Sequence, residues 1–145
     1  MSAADAGPDP TADQPGAHAG ALGGAMPAAY ALAHLHGRSP HPDVIEYLER
    51  IQATLDPFHG RFRIHGGELE VVEGEWPGSV VLIEFPGGMA DARAWYASPA
   101  YQDILPLRTD HIEGVVVLVE GVDPGYDPLK RAEKLRSADP GGYAR

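Results

Sequence analysis

Histidine, arginine and glutamate side chains recur at alternate positions in several stretches of the chain. Residues two apart on a β-strand point to the same side, so each such set shares one face. The members of this set are His34, His36, Arg61, Arg63, His65, Glu84 and Glu120. A histidine held by a carboxylate is a common general base near neutral pH. The pattern predicts an acid–base site in which His65 or His34 is catalytic and Glu84 orients it.

A second group lies in the stretch "ARAWYASPAYQDILPLR" (92–108). The planar guanidinium of Arg108 suits a carboxylate, and the hydroxyl of Tyr101 suits an oxyanion, so both are predicted to anchor a substrate. Arg63 and Trp95 are predicted as further substrate contacts. The alternative is structural: Trp95 packs in the core, and Arg108 pairs with Glu84 or with a helix end.

The histidines and glutamate of this set are also candidate metal ligands. His34 and His36 share a strand face, and His65 or Glu84 would complete a set, but this spacing is unspecific. The chain has no cysteine, which excludes disulfides, thiolate catalysis and thiolate metal sites. Neither a metal nor a cofactor is predicted.

Four strands and two helical regions are expected to position these residues. Strands are predicted at 30–36, 60–65, 79–85 and 114–121, with a second extended run after a Gly66-Gly67 turn. A helix begins near Pro42, and two short helices meet at Ser98. The order βαββαβ predicts an α+β, ferredoxin-like fold with a four-stranded antiparallel sheet and the helices on one face.

The sheet has one face that no helix covers, and a second copy of the chain is the expected cover. If the purely apolar face of each strand meets the helices, Val115, Val117 and Val119 point inward, and His65 and Glu120 point to the uncovered face. A cavity between two such sheets is then the expected site. The alternative is that the polar residues only fix the geometry of the dimer.

Both chain ends are rich in glycine, proline and polar residues. Residues 1–28 are predicted to be a disordered segment, 29–122 the folded domain, and 123–145 a tail. The formal net charge is −10, which argues against binding to nucleic acid or to an anionic membrane. No signal peptide or membrane span is predicted, and a cytoplasmic location is expected.

Several stretches together resemble the bacterial family known as domain of unknown function 1330, a branch of the dimeric α/β-barrel superfamily. They are "GRF" (60–62), "HGGELEVVEGEWPGSVVLIEFP" (65–86), "ARAWYASPAYQDILPLR" (92–108) and "VVVLVEGV" (115–122). The resemblance covers roughly residues 29–122 and implies a ferredoxin-like subunit that pairs sheet to sheet into a homodimer. Relatives in the superfamily include cofactor-free monooxygenases, isomerases, cyclases and haem enzymes.

Two functions are compatible with these features. The first is a small homodimeric, cofactor-free enzyme of the isomerase, cyclase or monooxygenase kind, acting on a small organic molecule. The second is a non-enzymatic dimeric binding or stress-related module. A cavity of a few hundred Å³ that receives at least two of His34, His65, Glu84 and Arg108 is expected only for the enzyme.

Overall fold

The structure, a computed structural model, describes residues 26–37 and 41–138. Residues Met26–Gly121 form one compact unit. The described elements of this unit are β1 (Ala29–Gly37), α1 (Pro42–Leu55), a 3₁₀ turn (Asp56–Phe58), β2 (Arg61–His65), β3 (Ser79–Phe85), α2 (Met89–Ala97), α3 (Pro99–Thr109) and β4 (Ile112–Glu120). Among these residues, no helix is long and apolar enough to cross a membrane.

The structure describes most of the C-terminal segment but little of the N-terminal one. A further helix, α4 (Pro128–Ala138), belongs to a separate unit and occurs where the sequence predicted a tail. The segment predicted to be disordered, 1–28, lies outside the described residues except for its last three.

The four strands form one antiparallel sheet in the order β2-β3-β1-β4. The helical regions follow β1 and β3, and both pack on the same face. This is the predicted ferredoxin-like α+β fold. The strand 79–85 and the division of the second helical region at Ser98 are also confirmed. Ser98 ends α2 and caps α3, because its hydroxyl accepts a hydrogen bond from the backbone N–H of Tyr101 at 3.2 Å.

The core lies between the sheet and the helices. β1 presents the small residues Ala29, Ala31 and Ala33 to this side, all buried. Helices bring larger side chains, among them Trp95 and Tyr101. Alanines on a central strand leave space above the sheet, and the structure keeps part of that space open.

Two predictions about which side of the sheet the side chains of β4 face are wrong. In β4, Ala33 pairs with Val116 and Ala31 with Leu118, so Val116 and Leu118 face the helices. Val115, Val117 and Val119 instead lie on the uncovered face. The sequence could not reveal this, because valine occupies both faces of the strand. Glu120 pairs with Ala29 and therefore shares the helix side rather than the uncovered face.

β2 contains a bulge that also changes the facing of its last residue. Phe62 pairs with Ile83, but Ile64 pairs with Leu82, so Arg63 is the extra residue. His65 consequently pairs with Val81 and lies on the helix side, opposite to the prediction. After Gly66 the chain forms no strand until Ser79, so the second extended run predicted after the glycines does not pair as a strand of the sheet.

Candidate active site

A cavity of about 300 Å³ lies between the sheet and helices α1 and α3. Its wall is mainly apolar and includes Ala31, Ala33 and Ile83 from the sheet and Ile51 from α1. Few polar side chains line it: Tyr47, His65, Ser79, Tyr101 and Arg108. A mostly apolar cavity with a few polar groups is typical of a small-molecule site.

Arg108 is the charged group inside this cavity. It belongs to the last turn of α3 and is only 6% exposed. One guanidinium N–H donates to the hydroxyl oxygen of Tyr101 at 3.4 Å, and the guanidinium carbon lies 5.5 Å from the ring centre of Tyr47. Within the described part of the chain, Arg108 has no carboxylate partner. Most of its N–H donors are therefore available to a ligand.

The hydroxyls of Tyr47 and Tyr101 lie 2.7 Å apart and are buried. The pair holds two protons, and the hydrogen bond between the two oxygens uses one of them. Whichever tyrosine donates, the hydroxyl proton of the other is left for a ligand. Arg108 and this hydroxyl together form a set of donors without an anionic acceptor.

Burial fixes the protonation of these groups. Burial raises the pKa of Tyr47, and the neighbouring Tyr101 raises it further, so Tyr47 stays neutral at physiological pH. Burial alone would lower the pKa of Arg108, but the hydrogen bond from Arg108 to Tyr101 and the nearby phenol oxygens leave it above its ordinary value. The cavity therefore contains the permanent positive charge of Arg108 and the neutral hydroxyl of Tyr47.

His65 stands at the mouth of the same cavity. It is the last residue of β2, is exposed to solvent, and stacks on Phe62 with ring centres 4.4 Å apart. The bulge at Arg63 turns it to this side of the sheet. A solvent-exposed imidazole at a cavity mouth is able to exchange protons with water and with a bound molecule.

Trp95 and Tyr47 complete the wall. The indole N–H of Trp95 donates to the hydroxyl of Thr54 at 3.0 Å, so only the ring is presented to the cavity. Trp95 is thus both a core residue and a lining residue. Tyr47 was not identified from the sequence. It lies three residues after Val44 and four before Ile51, within the apolar stripe of α1, and this spacing was the available signal.

The other predicted site residues lie on the opposite face of the sheet. The carboxylate of Glu84 accepts from Arg63 at 2.8 Å and lies 3.5 Å from Arg61. His34 contacts the carbonyl oxygen of Pro77, and its ring packs on Trp76. Glu84 therefore orients neither histidine and does not meet Arg108. The structure brings together His65, Trp95, Tyr101 and Arg108, and separates them from His34, Arg63 and Glu84.

Comparison with known proteins places this unit in a family. The model of the family "Domain of unknown function (DUF1330)" matches residues 28–122. The chain belongs to the DUF1330 family. None of the curated proteins matches the sequence significantly.

Two solved structures with TM-scores above 0.5 share the fold of this DUF1330 protein. The RPA0582 protein of unknown function from Rhodopseudomonas palustris is 16% identical, with a TM-score of 0.52 over 80% of this chain and 97% of the other. The methylated RPA0582 protein is 18% identical, with a TM-score of 0.53 over 81% of this chain and 96% of the other. A dimeric ferredoxin-like protein of unknown function from Jannaschia sp. CCS1 is 18% identical, with a TM-score of 0.46 over 62% of this chain and 97% of the other.

Proposed function

We propose that this DUF1330 protein is an enzyme that binds a small, largely apolar organic molecule by a carboxylate or carbonyl oxygen in the cavity beneath the helices. The observation that carries the proposal is Arg108, a buried charge facing an apolar cavity without a carboxylate partner in the described residues. Burying an unpaired charge is costly. A ligand oxygen at this point would accept from the guanidinium and from the spare tyrosine hydroxyl.

The reaction proposed is proton transfer next to that oxygen. The imidazole of His65 takes a proton from the carbon beside the carbonyl, and the C–H electron pair forms the C=C bond of an enolate. The negative charge moves to the oxygen held by Arg108 and the tyrosine pair, where it is stabilised. Return of the proton from His65 to another carbon completes an isomerisation. Alternatively, the enolate carbon attacks an internal carbonyl, the C=O π electrons move to its oxygen, and that oxygen takes the proton from His65, which completes a cyclisation. This step needs no cofactor, and a cytoplasmic location belongs to the same proposal.

A homodimer is also proposed, with the uncovered sheet face as its interface. Val115, Val117 and Val119 expose 60%, 43% and 44% of their surface there, although they form an unbroken apolar row on one strand. Ile64 of β2 is exposed on the same face. A second copy would bury these residues as sheets pack face to face in sandwiches. The cavity lies on the other side of the sheet, within one subunit.

The binding step is tested with matched pairs of ligands. Small aromatic and lactone carboxylates and their uncharged amides are measured by thermal shift and calorimetry. Carboxylates are expected to raise the melting temperature of the native protein by mass action, and Arg108→Gln is expected to weaken binding at least tenfold. Arg63→Gln, which changes an arginine on the opposite face, is the control and should bind as the native protein does. Equal binding to Arg108→Gln, or no binding of either the carboxylates or the amides to the native protein, would refute the proposal.

Catalysis is tested by exchange of the substrate's carbon-bound protons with deuterated water, followed by NMR on each ligand that binds. The native protein is expected to accelerate exchange at the carbon beside the carbonyl. His65→Gln should retain binding and lose at least a hundredfold in exchange rate, while His36→Gln should behave as native. Binding without any exchange would identify the alternative function, a non-enzymatic binding module.

A further inference from the structure

Three metal-ligating side chains meet at the start of α1, outside the residues used above. His41 immediately precedes α1, Asp43 lies in its first turn, and His111 stands just before β4. The Nε2 atom of His111 is 3.0 Å from Oδ2 of Asp43, and Nδ1 of His41 is 3.8 Å from the same oxygen. One ligand atom from each residue lies within 4.8 Å of the other two.

We propose that His41, Asp43 and His111 bind a divalent transition-metal ion of the Zn²⁺ class. Two imidazoles and one carboxylate are a ligand set that suits zinc, cobalt and nickel, and three protein ligands leave a position for water or another group. The site is distinct from the cavity donors Arg108 and Tyr101, so it goes beyond the function proposed above.

The contacts within the cluster favour a cation. Asp43 is contacted by the two histidines, and within the described part of the chain it has no lysine or arginine partner that would compete with a metal. The imidazole rings of His41 and His111 stack with centres 3.7 Å apart, which brings two nitrogen donors to the same carboxylate. A metal ion would take the place of the proton shared by His111 and Asp43.

His41 has a second contact that a metal would alter. Its Nδ1 atom accepts a hydrogen bond from the backbone N–H of Asp43 at 3.0 Å and so caps the helix. Since Nδ1 is the acceptor, the proton of the neutral ring is on Nε2. Ligation through Nδ1 would replace the helix cap with the metal bond, and ligation through Nε2 would move the ring proton to Nδ1 and so also remove the cap.

The site connects two elements that also border the cavity. Val44 follows Asp43 and Ile112 follows His111, and both line the cavity. A bound ion would therefore hold the first turn of α1 to the start of β4. His34 and His36 on the uncovered face have ring centres 5.5 Å apart. Among the described residues, however, they belong to no cluster of three metal-ligating side chains.

The test uses the full chain without an affinity tag and with no organic ligand, so that it is independent of the proposed enzymatic function. Zn²⁺ binding is measured by calorimetry, and Co²⁺ binding by its visible absorption, which reports nitrogen and oxygen coordination. One ion per chain is expected, with a rise in melting temperature. Asp43→Asn and His111→Gln are each expected to weaken Co²⁺ binding at least tenfold.

His36→Gln is the matched control, because His36 is an exposed histidine outside the cluster. It should bind Co²⁺ as the native protein does. Circular dichroism confirms that each variant is folded. Three results would overturn the proposal: no binding of Zn²⁺ or Co²⁺ to the native chain, equal binding to His111→Gln, or a loss of binding in His36→Gln.

Discussion

Arg108, Tyr47 and Tyr101 together carry more hydrogen-bond donors than the contacts among them use. The guanidinium donates to the hydroxyl of Tyr101 at 3.4 Å and lies near the ring and the hydroxyl of Tyr47. A buried cation usually finds several acceptors, because each unmet N–H carries the cost of lost hydration. A ligand oxygen between Arg108 and the tyrosine pair supplies the missing acceptor.

The burial of Tyr47 gives a pH dependence that is measurable. Its pKa in the folded protein lies above the ordinary value of 10.0, since burial and Tyr101 disfavour the charged form. Below pH 10 the hydroxyl is protonated in both the folded and the unfolded chain, so its contribution to stability is fully present. Above pH 10 only the unfolded chain releases the proton, and the free energy of unfolding is expected to fall by up to about 1.4 kcal/mol per pH unit.

Tyr47→Phe removes that proton and is the comparison for this prediction. Urea unfolding from pH 9 to pH 11 is the measurement, and the variant should lose stability less steeply than the native protein. Tyr126→Phe changes an exposed tyrosine and should keep the native slope. Identical slopes for Tyr47→Phe and the native chain would show that Tyr47 ionises as freely in the folded state as in the unfolded one.

Residue types and helical spacing were sufficient to predict part of the candidate site. The sequence predicts that Tyr101 and Arg108 anchor a substrate, because Arg108 lies four residues after Ile104 at the inward edge of the second short helix, and the two residues do meet in the cavity. Glu84 was assigned to the histidines because strand alternation placed it on their face. That step was wrong for His65, since one additional residue in a strand reverses the facing of all that follow.

The sequence does not specify, for every strand, which side of the sheet its side chains face. The alternation in β1 is readable because alanines face the helices while larger and polar residues face away. In β4 valines occupy both faces, and the facing is set by the register with β1. The extra residue of the bulge in β2 is Arg63, and an arginine, unlike a glycine or proline, does not indicate a bulge in the sequence. Fold class was therefore predictable from element order, whereas the side of the sheet that holds the cavity was not.

The segment between β2 and β3 depends on Gly78 where it returns to the sheet. Gly78 has a φ of 107°, a region that favours glycine, and a Cβ atom there would lie 2.2 Å from the carbonyl oxygen of Leu35 in β1. Gly78→Ala is expected to lower the free energy of unfolding by at least about 2 kcal/mol, from backbone strain and the clash. Urea denaturation is the measurement.

Gly67→Ala is the control for that variant, because it lies in the same segment and an added Cβ would meet nothing within 4 Å. Its stability should change by less than about 1 kcal/mol. If both variants are equally stable, the return of this segment onto β1 does not depend on close backbone contact at Gly78.

The whole molecule uses the two faces of its sheet for different purposes. One face holds the core and the cavity, and the other presents the apolar row of β4 and, separated from it by β1, the Arg63–Glu84 ion pair of β2 and β3. A row of exposed valines on a sheet without covering helices is the kind of patch that marks an interface. The proposed homodimer and the proposed binding site therefore lie on opposite sides of one subunit.

This separation makes a prediction about a monomeric variant. Val117→Lys places a charge in the middle of the uncovered face and is expected to convert the dimer into a monomer, as measured by light scattering during size-exclusion chromatography. Ile45→Lys, which charges an exposed position on α1, is the control and should remain dimeric. A native protein that is monomeric at micromolar concentration would contradict the proposed interface.

The same variant distinguishes a cavity within the subunit from one between two subunits. Val116 lines the cavity and Val117 points away from it, so the charge at position 117 does not reach Arg108 or Tyr101. Monomeric Val117→Lys should therefore bind the carboxylates with an affinity within about threefold of the native protein, a difference of less than about 0.7 kcal/mol. If the monomer is folded but has lost carboxylate binding, the site requires the second subunit, as the sequence alone had led us to expect.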